Sequence, residues 1–166
     1  MSLIRALVSA LLLACGAFAQ TGAEAFTTLR RLSGEWEAKT AKGLVINLSY
    51  RLIAGNSAIV ETFTTASGFE TLTIYHLDGS NLIATHYCAQ ANQPRLRLEP
   101  GSTKAMLEFA FHDVTNLSSP SASHMTRLRL QIKDADHLDK TEVYTEQGKE
   151  NTTVFNFVRV PRARDR

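Results

Sequence analysis

The feature that most constrains this chain is its hydrophobic pattern, which changes to a period of two at Glu35 and keeps that period to Val160. Alternating apolar and polar residues are typical of half-buried strands, because successive side chains point to opposite faces. Short turns rich in glycine, asparagine, aspartate and proline interrupt the alternation at fairly regular intervals. The pattern predicts about ten strands, at residues 35–40, 44–53, 57–65, 69–77, 82–89, 95–99, 104–112, 125–133, 138–145 and 152–160.

The connections between these strands are short, and only residues 116–123 form a longer polar connection. Short connections favour sequential hairpins, and a meander of this many strands avoids exposed edges most simply by closing on itself. We therefore predict an all-β fold, an antiparallel up-and-down (meander) β-barrel with a short N-terminal helix. A Greek-key sandwich is the alternative. The helix is predicted from Phe26, Leu29 and Leu32, which recur at helical spacing before Gly34.

The first 19 residues have the order of a secretory signal peptide. A positive charge at Arg5 precedes an apolar run over residues 6–14, and small residues at Ala17 and Ala19 precede the expected cleavage site. The apolar run is too short to remain in a bilayer as a spanning helix. We therefore expect the protein to be exported, and to be periplasmic or secreted.

Processing divides the chain into three parts. A signal peptide at residues 1–19 precedes a barrel domain at residues 20–160, and a flexible basic tail follows at residues 161–166. In the alternative, residues 12–15 act as a lipobox, and the protein is a lipoprotein anchored through Cys15. Neither route leaves a transmembrane segment in the mature protein.

Composition excludes several classes of partner and scaffold. The formal net charge of +2, without a basic stripe, argues against a nucleic-acid partner. The 44% of hydrophobic residues argues against disorder. Removal of residues 1–19 leaves Cys88 as the sole cysteine, so no intrachain disulfide can form and stability depends on packing. The sequence does not indicate an oligomeric state.

The segment Leu29-Arg-Arg-Leu-Ser-Gly-Glu-Trp36 places a helix directly before Gly-x-Trp and the first strand. It resembles the start of the calycin superfamily, which contains lipocalins, fatty-acid-binding proteins and nitrobindin-like barrels. The resemblance implies a barrel whose helix end is closed by Gly34 and Trp36. The run from Tyr75 to Pro94 is also similar to exported bacterial lipocalin-like proteins. No segment matches the haem-ligating part of nitrobindins, and no cofactor is predicted.

Two predicted strands flank Asp78-Gly79, and their alternation defines two faces. If Asp78-Gly79 is a two-residue turn, Thr73 lies opposite Ala84. One face combines small residues with polar tips, as expected for the wall of a hollow barrel rather than a filled one. We predict that this face points inward; it carries Thr71, Thr73, Tyr75, Leu82, Ala84, His86 and Cys88.

His86 and Cys88 are the most distinctive candidates on this face. His86 either contacts a ligand or carries a proton, or it is a buried imidazole bonded to a threonine or tyrosine. Cys88 is expected to be a small core residue, because no third group is available to orient His86 as its base. No metal site is expected, since further ligands are lacking. Asn92 and Gln93 form the following turn and are expected to line the barrel entrance.

Glu61 shares a strand face with large apolar residues, so an ionised carboxylate there needs a partner. Arg127 and Arg129 share a face on a later strand and could neutralise it. In a cavity, such a pair would bind a carboxylate or hydroxyl group, as arginines do in the fatty-acid-binding proteins that the chain resembles. Alternatively, Glu61 lies on the outer face.

Three functions remain open from the sequence. The first is an exported binding protein that holds a small, largely apolar or amphipathic molecule in the barrel cavity. The second is an isomerase, cyclase or hydrolase that uses cavity histidine, tyrosine or glutamate as acid–base groups. The third is an envelope interaction module without a ligand. The candidate ligand-binding residues are Glu61, Thr73, Tyr75, His86, Cys88, Asn92, Gln93, Arg127 and Arg129.

Overall fold

The structure is a computed structural model that describes residues 20–161. The expected signal peptide, the lipobox cysteine Cys15 and residues 162–166 of the expected tail lie outside the described residues. Within residues 20–161, no helix has the length and apolar character needed to cross a membrane.

The described chain forms a closed antiparallel barrel of ten strands, as the alternating pattern predicts. Each strand pairs with its neighbours in sequence, and the barrel closes where the first strand pairs with the last, with Trp36 opposite Arg159. A short 3₁₀ turn at Ala54–Asn56 joins the second and third strands. The strands are β1 (Gly34–Lys39), β2 (Val45–Ile53), β3 (Ala58–Thr65), β4 (Glu70–Asp78), β5 (Asn81–Tyr87), β6 (Gln93–Leu98), β7 (Met106–Thr115), β8 (His124–Ile132), β9 (His137–Glu146) and β10 (Lys149–Arg159).

The helix α1 (Gly22–Arg30) begins with a capping box, in which the Thr21 hydroxyl accepts from the Glu24 amide and the Glu24 carboxylate accepts from the Thr21 amide. Its buried face contacts β4 and β5. Gly22 sits so close to the β4–β5 turn that an added Cβ would lie 2.4 Å from the Ser80 carbonyl oxygen. We call this end of the barrel the helix end.

The pairing of β4 with β5 is shifted by two residues from the predicted register. The strands continue to Asp78 and Asn81, so Gly79 and Ser80 form the two-residue loop. Gly79 takes a φ of 58°, which suits glycine. As a result, Thr73 lies opposite His86 rather than opposite Ala84. Because a shift of two residues keeps every side chain on its face, the division into two faces is unaffected.

An apolar core fills the helix end. Trp36, only 1% exposed, lies at its centre, and its indole nitrogen donates to the Leu32 carbonyl oxygen at 2.8 Å. The Arg159 guanidinium stacks on the indole ring, 4.1 Å from the ring centroid. Gly34 has a φ of +130°, and a Cβ there would meet the Arg159 guanidinium at 3.0 Å. Each large side chain buried in such a core stabilises the fold by about 1.5–3 kcal/mol.

Candidate functional site

The inner wall of the barrel contains the predicted mixed face. Thr73 and Tyr75 of β4, and Ala84 and His86 of β5, are all at most 1% exposed. Thr71 lies on the same face near the end of β4 that is farthest from the helix. β5 ends at Tyr87, so Cys88 belongs to the following turn, where it is only partly buried. It is therefore not the core strand residue that we predicted.

Along β9 and β10, the exposure of the inward-facing side chains rises from the helix end to the opposite end. On β9, Leu138 and Lys140 are fully buried, but the Glu142 side chain is 13% exposed. On β10, Phe157 is buried and Thr153 is exposed. Solvent therefore reaches the interior from the end opposite the helix. We call this end the mouth, and it is formed by the turns at 40–44, 66–69, 88–92, 116–123 and 147–148.

An ion cluster crosses the middle of the barrel. The Lys140 ammonium of β9 donates to a carboxylate oxygen of Glu61 on β3 at 2.5 Å, and to Glu142 at 2.7 Å. The other Glu61 oxygen accepts from the Tyr75 hydroxyl at 2.6 Å. Phe63 places its ring 5.3 Å from the ammonium. Glu61 is thus buried and paired, so the alternative that it lies on the outer face is wrong.

Electrostatics keep the central pair of this cluster ionised. Burial raises the pKa of Glu61. The charge of Lys140, together with hydrogen bonds from Lys140 and Tyr75, lowers it by more, so the net shift is downward. Burial likewise lowers the pKa of Lys140, but Glu142 and Glu61 raise it by more. Burial, followed by the Glu61 charge, raises the pKa values of Tyr50 and Tyr75. Both tyrosines therefore remain protonated donors at neutral pH.

Tyr50 is incompletely satisfied within this cluster. Its side chain is 2% exposed and lies near Glu61, which interacts with it electrostatically. Its hydroxyl makes no hydrogen bond of standard geometry with any described residue. Buried hydroxyls without a partner are unusual in folded proteins, so this one is an incompletely used polar group beside the Glu61 carboxylate.

A second polar group lies nearer the mouth and centres on His86. Its Nδ1 shares a hydrogen bond of 3.0 Å with the Thr73 hydroxyl, and its Nε2 shares one of 3.0 Å with the Tyr144 hydroxyl. Burial, and then the charge of Lys140, lowers the pKa of His86 to about 4. The imidazole is therefore neutral at neutral pH, with one nitrogen donating and the other accepting.

Tyr144 links this group to solvent. It is partly buried on β9, and burial raises its pKa, with further contributions from Glu142 and from Cys88. Cys88 therefore lies beside Tyr144 rather than against His86. The structure places the His86 imidazole against a threonine and a tyrosine.

The predicted arginine partners of Glu61 are wrong. Arg127 and Arg129 are exposed on the outer wall, where Arg129 pairs with Glu108 and both arginines line a surface groove of about 460 Å³. The cause is a bulge between Met125 and Arg127, which reverses the alternation. Met125 faces inward before the bulge and Leu128 faces inward after it.

The side-chain amides of Asn92 and Gln93, at the mouth, lie in different environments. Asn92 is buried, and its amide nitrogen donates to the Ser123 carbonyl oxygen at 2.9 Å. Its carbonyl oxygen has no partner among the described residues. Gln93 instead forms exposed hydrogen bonds with Ala91 and Thr115. Asn92 thus joins two turns of the mouth, whereas Gln93 faces solvent.

Sequence reasoning missed Lys140, Glu142 and Tyr144. The spacing of these residues could have revealed them, because residues two apart on a strand share a face. The face in question carries Leu138, Lys140, Glu142 and Tyr144. The signal is weak because the opposite face of β9 also carries charge, at Asp139. Among residues 20–161, no group of three or more histidine, cysteine, aspartate or glutamate side chains is placed to hold a metal ion.

Comparison with known proteins supports the fold of this chain and does not identify its function. No protein-family model matches the chain, and no curated protein matches it. A crystal structure of Rv2717c from M. tuberculosis is similar, with a TM-score of 0.55 and 17% identity over 83% of this chain and 98% of that one. At this identity the similarity supports the barrel architecture, and neither a function nor membership of the calycin superfamily follows from it.

Proposed function

We propose that this chain is an exported binding protein that holds a small, largely apolar molecule with a polar head inside the barrel. The observation that carries the proposal is the ion cluster of Glu61, Lys140 and Glu142 inside the barrel, with Glu142 partly exposed on the side of the mouth. Buried ion pairs seldom stabilise a fold more than apolar side chains of similar volume would. A buried cluster with a partly exposed carboxylate on the side of the mouth is best explained by recognition of a guest.

The apolar part of such a guest would lie against aromatic side chains near the mouth. Phe63 and Phe155 contact each other with ring centroids 5.3 Å apart, and Phe69 packs on Phe63 at 6.5 Å. Phe155 is only partly buried, and Phe69 is 47% exposed. Apolar walls with a few polar groups are typical of sites that bind small molecules.

Acid–base catalysis is less well supported by the same geometry. A general base works best when its pKa is near the working pH. The pKa of His86, at about 4, makes it a weak base at neutral pH. Glu61 is engaged by Lys140 and Tyr75 and has no free oxygen with which to accept a substrate proton. These groups suit fixed hydrogen bonding better than proton transfer.

The proposed compartment follows from the first 19 residues. Removal of that segment leaves Cys88 as the sole thiol, so an exported barrel would depend on packing rather than on disulfides for its stability. Mass measurement of the mature chain from an exporting host tests this. A mass corresponding to a chain that begins at Gln20 supports soluble export, and a lipidated chain beginning at Cys15 supports the lipoprotein alternative.

Binding can be tested with two adjacent threonines of β10. Thr153 faces the lumen at the mouth, whereas Thr152 lines the outer groove. Both are exposed, so a tryptophan at either position is expected to be tolerated by the fold. With Nile red as a neutral fluorescent probe, Thr153→Trp should weaken binding about tenfold or more because it obstructs the mouth, while Thr152→Trp should not.

Native mass spectrometry of the purified chain provides the companion measurement. An apolar adduct that is retained by wild type and by Thr152→Trp, but is lost from Thr153→Trp, is the expected result. Equal Nile red binding by all three proteins, or none by wild type, would contradict lumenal binding. The latter result would favour the ligand-free interaction module.

A further inference from the structure

The ion cluster carries more negative than positive charge. Two carboxylates, on Glu61 and Glu142, face the single ammonium of Lys140. His86, which interacts electrostatically with all three, is neutral at neutral pH. The cluster therefore has a net charge of about one negative unit in a site that is partly removed from water. Charge attraction is stronger in such a site than in bulk solvent.

Lys140 has little capacity left for a ligand anion. It donates to one oxygen of each carboxylate, and the Phe63 ring lies 5.3 Å from its nitrogen. A carboxylate brought by a ligand would add a third negative charge beside an ammonium that is already engaged. The lumen is therefore a poor site for a fatty-acid head, contrary to the expectation based on Arg127 and Arg129.

The unmet hydrogen-bonding capacity lies with acceptors. One oxygen of Glu142 accepts from Lys140, and the other accepts no hydrogen bond from any described residue. The Glu142 side chain is 13% exposed, on the mouth side of Lys140, so a molecule entering the lumen can reach it. The Tyr50 hydroxyl, buried near Glu61, also lacks a partner of standard geometry. The free carboxylate oxygen can only accept, so it requires an N–H or O–H donor from a guest, whereas the Tyr50 hydroxyl can accept as well as donate.

We propose that the polar head of the bound molecule is a protonated amine that donates to the free carboxylate oxygen of Glu142. This inference rests on the proposed binding function and specifies its ligand class. An amine both donates hydrogen bonds and neutralises the remaining charge, whereas an alcohol supplies only the hydrogen bond. The aliphatic part of the amine extends toward the mouth, along Phe155.

Three probes of equal chain length test the inference. Octylamine, 1-octanol and octanoate differ in their head groups, which are positive, neutral and negative at neutral pH. Isothermal titration calorimetry with the purified chain at low ionic strength should give octylamine about tenfold tighter binding than 1-octanol, because of the added charge attraction. Octanoate should bind most weakly of the three.

Two isosteric variants provide the controls. Glu142→Gln keeps an oxygen that can accept from Lys140 but removes the free negative charge, so octylamine should lose its advantage while 1-octanol binds as before. Glu108→Gln changes a carboxylate on the outer wall, where it pairs with Arg129, and should retain the preference for the amine. Circular dichroism confirms that each variant is folded.

The outcomes separate this inference from the proposed function. If 1-octanol or octanoate binds as tightly as octylamine, or if Glu142→Gln keeps the amine preference, the amine inference is overturned and the binding function stands. If none of the three probes binds and Nile red does not bind either, both proposals fail together.

Discussion

The two halves of this barrel are built from different chemistry. At the helix end, Trp36 and the buried leucines around it form an apolar core, and the Trp36 indole donates to a main-chain carbonyl oxygen. Arg159 donates to the carbonyl oxygens of Arg31, Ser33 and Ala135, which ties the helix, β1 and β10 together.

Toward the mouth the same inward-facing positions carry charge instead. Lys140 is completely buried and has two carboxylate partners, and His86 is bonded on both ring nitrogens. Such groups lose hydration on folding, and well-packed apolar side chains of similar volume often stabilise a fold as much or more. The difference teaches that the helix end supplies stability, whereas the mouth half holds polar groups at a cost that packing alone would not require.

The largest expected effect concerns the helix end. Trp36→Ala removes a large, fully buried side chain and its hydrogen bond, so the free energy of unfolding should fall by about 3–5 kcal/mol. Val158→Ala is the control, because Val158 lies on the neighbouring β10 but is 50% exposed. It should change stability by less than about 0.5 kcal/mol in urea denaturation. Similar losses for both variants would mean that this core does not dominate stability.

The ion cluster offers the next test of the comparison. Lys140→Met leaves the Glu61 carboxylate buried without its cation, and should cost about 3–5 kcal/mol. Combining it with Glu61→Leu removes that carboxylate too and should recover most of the loss. Arg129→Met, which breaks an exposed pair with Glu108, should cost less than about 1 kcal/mol. If the double variant were as unstable as Lys140→Met, the cluster itself would be needed for stability.

Most of the barrel could be predicted from the sequence, because alternation is a local signal. The ten strands and the inward face of β4 and β5 depend only on side chains two residues apart. The β4–β5 register was wrong by two residues because Asp78-Gly79 and Gly79-Ser80 are both plausible turns. Alternation fixes the face of a side chain but not its partner across the sheet.

The ion cluster could not be predicted, for two physical reasons. Lys140 and Glu61 are 79 residues apart in sequence and meet only because the barrel closes, which alternation does not describe. The bulge in β8 then reversed the face of Arg127 and Arg129, and a bulge leaves no clear mark in a sequence of mixed polarity. Neither barrel closure nor a bulge can be read from side chains two residues apart.

His86 should give the mouth half a distinct pH dependence. Its pKa falls from 6.5 to about 4 on folding, so the unfolded chain binds a proton between these values and the folded chain does not. Stability should therefore decrease as the pH falls from 6.5 toward 4, by about 3 kcal/mol over the whole window at 1.36 kcal/mol per unit.

His86→Gln should remove most of this slope in urea denaturation across the window. His76→Gln, on the outward face of β4, is the matched control and should retain it. Loss of the Glu61 carboxylate acts at lower pH, because the pKa of that group is lowered on folding. An unchanged slope in His86→Gln would show that the imidazole is not held neutral by burial.

The smallest effect tests whether the two halves are independent. Gly22→Ala places a methyl group against the Ser80 carbonyl, and the required shift of α1 should cost about 1–3 kcal/mol. Gly101→Ala has no atom within 4 Å of the added carbon and should be nearly neutral. Because Gly22 lies at the helix end and the proposed site opens at the mouth, Nile red should bind both variants with wild-type affinity. Weaker binding by Gly22→Ala alone would show that packing of the helix is coupled to the lumen.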